Sequence, residues 1–346
     1  MAYLAFLFVC LMWGSSFILL ERVSHALGPV EIGIWRLLSA AVALGAIWWW
    51  RRDAFRLDRR YIAPIMFSAL VANVPPYVTQ PYVLAQGFGH SFFGVAVAAV
   101  PLLTILFSIP MLGVWPTRRQ LVGVIGGLVC LYFVVDDGVD RGMSFGILAL
   151  AAVVPITASF NNNFVKLKLD QAQALPMTAV MLGAAGVMLI PLALCRPAIH
   201  ALHLEGPANP VFTPMMWANM LLLGVVVTGL STVAFFYLVL KRGPLFAGMT
   251  TYIVPMLALA WGQFDRETIS LKQLLAMGGV LVMVGIVQSG TRSDEELVEL
   301  LPESTPHSLT GQLELAPAPA AVEDPVTLIA DEPLDSSGIN SHRISA

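Results

Sequence analysis

Two stretches of this chain are copies of one another, and their spacing restricts the fold more than any other feature. Residues Leu84 to Leu103 read LAQGFGHSFFGVAVAAVPLL, and residues Leu238 to Leu257 read LVLKRGPLFAGMTTYIVPML. At an offset of 154 positions, seven of the twenty pairs are identical: Leu84/Leu238, Gly89/Gly243, Phe92/Phe246, Gly94/Gly248, Val100/Val254, Pro101/Pro255 and Leu103/Leu257. Composition alone accounts for roughly two, so the chain holds an internal repeat of about 150 residues. Each copy joins a glycine-containing turn to an apolar helix that carries a proline.

The number of apolar spans inside one repeat then decides the architecture. Of 346 residues, 57% are hydrophobic and only 12% charged, against about 25% charged in soluble domains. So few charges cannot solvate the surface, and most of it must face lipid. The formal charge of −3 hides an asymmetry. Residues 291–346 hold eleven acids against two arginines, or −9, and the part before them carries +6. Cys10, Cys130 and Cys195 lie in apolar runs without metal-ligand or CxxC spacing, which is the pattern of small core residues. No cofactor, metal or nucleic-acid partner is expected.

A membrane-spanning helix needs about 20 apolar residues. Ten stretches fit: 3–20, 30–50, 61–85, 91–113, 120–135, 144–165, 176–195, 215–240, 246–264 and 271–290. The first lacks a basic n-region and a small-x-small cleavage site, so it reads as a membrane helix and not a signal peptide. With the N-terminus inside, thirteen Lys/Arg fall on inner segments and five on outer ones. That bias places both termini in the cytoplasm. The offset of 154 maps the third span onto the eighth and the fourth onto the ninth, so one unit is five helices. Five is odd, and the second unit enters the membrane inverted. The expected architecture is all-α and integral to the membrane: ten helices as two inverted five-helix repeats, residues 1–143 and 144–290. Inverted repeats place a solute site between them near the midplane. Residues 291–346, rich in Pro, Ala, Ser and acids, are expected to be a disordered cytoplasmic tail.

This layout resembles the drug/metabolite transporter superfamily, in its ten-helix EamA-type branch. The residues that carry the resemblance are Trp13-Gly14-Ser15-Ser16-Phe17, Pro29 with Arg36, Pro101 repeated as Pro255, and Glu267 with Gln273 leading into Gly278-Gly279. They cover residues 1–290. The chain departs from the pattern at Val114 or Trp115, where the family's first repeat often has a glutamate. The resemblance implies alternating-access movement of small solutes, often export of amino acids or related metabolites, across the inner membrane. It does not name a substrate.

Span three holds the densest polar cluster: Asn73, Pro75, Pro76, Tyr77, Thr79, Gln80 and Pro81. Its prolines have no N–H and leave the carbonyls of Val71, Ala72 and Tyr77 without helical partners. At that depth lipid offers no donor, so these groups must face protein or a water-filled cavity. The repeat sets Gly229 opposite Pro75 and Ser231 opposite Tyr77, which predicts a second weakened helix. The alternative to a solute site built by two broken helices is a pair of kinks healed by neighbouring hydroxyls. Trp13 and Ser16 in span one either line that site or pack against a neighbour. In span six, Thr157 and Asn161 are four apart and share a face, and Asn163 reads as an interfacial cap. On span nine, Thr250, Thr251, Tyr252, Trp261 and Gln263 form an aromatic and hydroxyl face. Gly123 and Gly127 predict a close helix contact, not chemistry.

Arg36 is the one charge well inside a span. It either anchors an anionic group of the solute or pairs structurally with Glu31 or Glu21. Every carboxylate of residues 1–290 lies in a connection or near a span end. An enzyme is disfavoured: Gly229-Leu230-Ser231-Thr232 resembles a serine-protease turn only faintly, and the six histidines, the candidate general bases, lie in loops, ends or tail. A lipid or lipid-linked substrate, or a non-transporting sensor or scaffold, are the competing classes. The expected partners are a small-molecule solute and membrane lipid, and a homodimer is compatible with the sequence.

Overall fold

Long apolar runs bounded by Gly, Pro and basic residues fold as helices because nothing else satisfies the backbone away from water. The computed structural model describes residues 2–51, 53–86, 96–97, 99–113, 115–140 and 144–251. Within 253–286 it describes 253–254, 257, 261, 271–272, 274–279, 281–283 and 285–286. Tyr252, Pro255, Gln263, Glu267, Gln273 and the 291–346 tail lie outside the described residues, as does most of the expected ninth span.

Eight long helices have their bounds among the described residues: α1 (Ala2–Ser24), α2 (Pro29–Trp50), α3 (Arg59–Ala85), α4 (Val100–Leu112), α5 (Arg118–Asp140), α6 (Phe145–Lys168), α7 (Ala174–Leu194) and α8 (Pro214–Arg242). Six of them, α1 to α3 and α6 to α8, are long and apolar enough to cross a bilayer. No strand occurs among the described residues.

Local chemistry sets the helix ends. α2 starts at Gly28 with Pro29 in its first turn, and the Glu31 carboxylate accepts the Gly28 N–H at 3.0 Å, a capping box. Thr213 caps α8 by accepting the Met216 N–H at 3.1 Å, and Lys241 and Arg242 occupy its last turn, where the helix dipole favours cations. Gly243 and Gly113 follow α8 and α4 with φ of 87° and 69°, a region that L side chains seldom enter.

The distribution of side chains is reversed relative to a water-soluble protein. Leu4, Leu7 and Leu11 form an exposed stripe on α1, and Trp49, Trp50 and Val42 are exposed on α2. Ser16, Arg36, Ser68, Asn73, Asn161, Asn162, Asn163, Thr228, Ser231 and Thr232 are buried. Apolar surface outside and polar groups within is the arrangement lipid demands.

Close approaches rest on small residues, as expected where lipid and side chains are equally apolar. α2 packs along α7, and a Cβ on Gly186 would come within 2.7 Å of Leu38. A Cβ on Gly127 would collide with Leu102 of α4, which confirms a close contact at that point of α5. α4 and α6 are tied by two rungs: Ser159 Oγ donates to the Val100 carbonyl (2.8 Å) and Asn163 Nδ2 to the Thr104 carbonyl (3.0 Å). Asn163 is therefore a buried tether between helices and not the interfacial cap its position suggested. The two copies of the repeated stretch also touch, with Gly248 against the Pro101 ring.

Basic connections gather at one end of the bundle. The Arg56 N–H donates to Gln173 Oε1 at 2.8 Å, joining the α2–α3 and α6–α7 connections. Lys166 reaches the Leu240 carbonyl at the end of α8. Phe6 near the N-terminus packs on Phe246, just beyond Lys241 and Arg242.

Candidate functional site

Prolines 75 and 76 remove two consecutive N–H donors, yet α3 does not break. It widens instead into a π-helical turn over Ala69–Asn73 before resuming at Val74. The Val74 N–H reaches back five residues to the Ala69 carbonyl, and Asn73 Nδ2 donates to the Ser68 carbonyl at 3.1 Å. The expected break is thus corrected to a continuous, locally widened helix. α8 does the same over Leu222–Leu230, where Thr228 Oγ1 donates to the Leu223 carbonyl at 2.7 Å. Shifted by 154, residues 69–73 fall on 223–227, inside the π run of α8. π turns interrupt helices mostly at functional positions.

A cavity of about 170 Å³ lies between these two helices. α1 supplies Trp13, Ser16 and Phe17; α2 supplies Arg36; α3 supplies Ala72, Asn73, Pro76, Tyr77 and Gln80. α6 adds Val154, Ala158, Asn161 and Asn162, and α8 adds Val227, Thr232, Phe235 and Phe236. Val97, Val100, Thr251 and Val254 complete it. Such a volume holds roughly six waters at about 30 Å³ each. It is below the roughly 300–1,000 Å³ of clefts that take drug-sized ligands.

Arg36 bridges the two widened helices. Its Nε donates to Thr228 Oγ1 of α8 at 3.2 Å, and its Nη1 donates to Gln80 Oε1 of α3 at 3.3 Å. The guanidinium also sits 4.9 Å from the Tyr77 ring centroid, a cation–π arrangement. Gly33, one turn earlier on α2, permits this approach: a Cβ there would stand 2.9 Å from the Tyr77 carbonyl. The expected pairing with an acid is not found. Glu31 is engaged in the α2 capping box, and among the described residues no carboxylate lies within ion-pair distance of Arg36.

The structure brings together nine of the residues singled out in the sequence: Trp13, Ser16, Arg36, Asn73, Pro76, Tyr77, Gln80, Asn161 and Thr251. Four others lie elsewhere. Ser231 is buried behind the wall, where it accepts the Trp13 indole N–H at 2.9 Å and donates to the Val227 carbonyl; it positions Trp13, whose ring packs 4.7 Å from Phe235. Thr157 spends its hydroxyl on the Val153 carbonyl of its own helix at 2.7 Å. Thr79 is half-buried outside the lining, and Trp261 packs on an apolar cluster with Met12 and Leu84. Tyr252 lies outside the described residues.

Sequence reasoning missed Asn162 and Thr232. Asn162 is turned about 100° from Asn161 on the helix, and both reach the cavity because it wraps that face of α6. Asn161 is held by Ser68, whose hydroxyl donates to its Oδ1. Asn162 Nδ2 is buried without a hydrogen-bond partner among the described residues. Thr232 carried no signal beyond its place after Ser231.

Three comparisons bear on this arrangement. The profile of the EamA-like transporter family matches residues 1–136 and, a second time, residues 144–290. The uncharacterized transporter YoaV of Bacillus subtilis (strain 168) is 23% identical over 287 residues, which span 80% of this chain and 92% of that protein. A protein crystal structure superposes with a TM-score of 0.62 at 15% identity, covering 85% of this chain and 98% of the other. At that identity the likeness is one of fold.

Proposed function

Because this chain belongs to the EamA-like transporter family, we propose that it carries a small polar metabolite, an amino acid or a compound of that size, by alternating access around the central cavity. The protein is an integral, multi-pass membrane transporter. The proposal adds that it works as an exporter or exchanger in the inner membrane. It has ten helices in two inverted halves, residues 1–143 and 144–290, with both termini cytoplasmic. The repeat offset and the odd number of spans per unit support the inversion. The gathering of Arg51, Arg56, Arg59, Arg60, Lys166, Lys168, Lys241 and Arg242 at one end supports the orientation.

One observation carries this reading: a cavity inside an apolar bundle that gathers Arg36, Asn73, Tyr77, Gln80, Asn161 and Asn162, flanked by π turns at repeat-equivalent positions. A buried polar hollow is costly unless water or a solute fills it. A π turn has weaker hydrogen bonding than the α-helix around it, so it is where a helix bends as two halves rock past each other. A volume of about 170 Å³ disfavours a lipid tail as the occupant. No acid lines the cavity among the described residues, which is compatible with uniport or exchange driven by the solute's own gradient.

The test is flux in proteoliposomes, loaded with a labelled mixture of amino acids and organic acids and read by mass spectrometry. Asn73→Ala and Gln80→Ala are expected to lower exchange roughly tenfold, the effect of about 1.4 kcal/mol, with folded yield intact. Unchanged flux in both variants removes α3 from the solute path.

A further inference from the structure

We propose that the cavity selects a small monoanion, a carboxylate on a short apolar body, with Arg36 as its anchor. This rests on the transport reading above and narrows its solute from amino acids to carboxylates of that size without an ammonium. The cavity's charge balance is the starting point. Residues 3–20, 32–50, 61–113, 144–165, 214–240 and 244–264, the stretches that build it, contain no Asp or Glu, and Arg36 is their single charged residue. Arg36 is only 5% exposed, and its side-chain hydrogen-bond partners, Thr228 Oγ1 and Gln80 Oε1, are neutral.

A guanidinium has five N–H donors in a planar fork, and the two neutral acceptors leave the rest of that fork available. Removing a cation from water costs several kcal/mol unless a counter-charge meets it. Glutamine, threonine and a tyrosine ring orient the group without neutralising it. A carboxylate offers two oxygens in the geometry that matches the fork, with charge-assisted bonds about twice as strong as neutral ones.

The second observation is independent of Arg36. The buried polar atom on the cavity lining that lacks a partner is Asn162 Nδ2, another donor. The acceptor of its neighbour Asn161 is already taken by Ser68. Beside the guanidinium, the buried polar atom of the lining without a partner is thus also a donor. The remaining wall, Trp13, Phe17, Phe235 and Phe236, is aromatic and suits an apolar body.

The same reasoning ranks solutes. A zwitterion brings an ammonium that would meet ring faces and neutral amide oxygens but no carboxylate among the described lining residues. Cation–π contact offers up to about 2 kcal/mol when desolvated, less than the several kcal/mol needed to bury that charge. A cationic amine faces the same deficit and repulsion from Arg36 as well. A neutral amide leaves the guanidinium charge uncompensated.

The experiment uses the full chain and four probes of one shape: isobutyrate, isobutyramide, isobutylamine and valine. Isobutyrate at ten times its dissociation constant is expected to raise the melting temperature of the purified protein by about 3 °C. The amide and amine are expected to leave it unchanged, with valine below isobutyrate. Arg36→Gln is expected to abolish the isobutyrate shift. Should that variant fail to fold, Gln80→Glu keeps Arg36 and sets a carboxylate against it; the isobutyrate shift is expected to vanish while the protein melts no earlier. The inference is overturned if isobutyrate produces no shift, if isobutyramide or valine stabilises as much, or if the shift survives Gln80→Glu. Counterflow separates this failure from that of transport itself. Proteoliposomes that carry valine or the amide but not isobutyrate sink the anion assignment alone. Those that carry none of the four and exchange no metabolite sink both.

Discussion

α3 and α8 reach the same backbone deformation by different chemistry. In α3 the π turn spans five residues, Ala69–Asn73, and leads into Pro75 and Pro76. In α8 it spans nine residues, Leu222–Leu230, without a proline. The α8 run is held from outside. Gly224 lies under Ser39 and the Arg36 carbonyl, Gly229 lies against Ala40, and the Thr228 hydroxyl ties back to Leu223. At the position repeat-equivalent to Gly224, α3 has Leu70, which faces outward and is exposed. One helix is thus distorted by its own covalent structure and the other by its packing on α2. A proline acts in any environment, whereas a packing-imposed π run depends on its neighbours. The two sides of the cavity should accordingly respond differently to substitution.

The largest effect should come from Gly224→Leu. A side chain there collides with Ser39 and wedges α8 off α2, with an overpacking penalty at or above about 3 kcal/mol. Monodisperse protein recovered in detergent should fall nearly to nothing, and the matched Leu70→Gly in α3 should stay near the parent yield. Equal losses in both would mean that the two π segments are supported alike.

Next in size is Thr228→Val, which removes the back-bond to Leu223 and leaves Arg36 Nε buried without its acceptor. The cost of such an orphaned donor is about 1–3 kcal/mol. Thermal melting should drop by several degrees, and exchange should slow. A variant that melts like the parent would show that Arg36 does not depend on α8. The smallest effect belongs to Ser231→Ala, which frees the Trp13 indole N–H. Interhelical hydrogen bonds in membranes average about 0.6 kcal/mol, so melting should barely move. Trp13 fluorescence, its ring no longer held against Phe235, should shift relative to that of the parent protein. An unchanged spectrum would separate Trp13 from Ser231.

The comparison also shows which features a sequence displays. The deformation of α3 is legible because proline chemistry is local: Pro75 and Pro76 delete donors wherever they stand. The kind of deformation is not legible, since a kink, a break and a π turn all begin with the same missing N–H groups. In α8 only Gly229 and the repeat register hinted at weakness, because the cause lies on α2, at Ser39 and Ala40, far away in the chain. Arg36 was legible as an anomaly, but its partners were not. Gln80 and Thr228 are neutral, and charge counting looks for Glu21 or Glu31. Thr157 misled for the opposite reason: helical spacing places it beside Asn161 but does not reveal that its hydroxyl turns back on its own backbone. The apolar spans, by contrast, were readable almost to their ends, because lipid imposes length and polarity on every one of α1, α2, α3, α6, α7 and α8 alike.

The account stands or falls on whether the cavity between α3 and α8 opens to both faces of the membrane in turn. Ala72 lines it and is buried in the present state, so a single Ala72→Cys, placed after Cys10, Cys130 and Cys195 have been replaced by alanine, reports directly. Alternating access predicts that a membrane-impermeant thiol reagent modifies this cysteine when applied to either side of sealed vesicles, with solute on one face shifting reactivity to the other. Modification from neither side, or from one side only whatever solute is present, would contradict it.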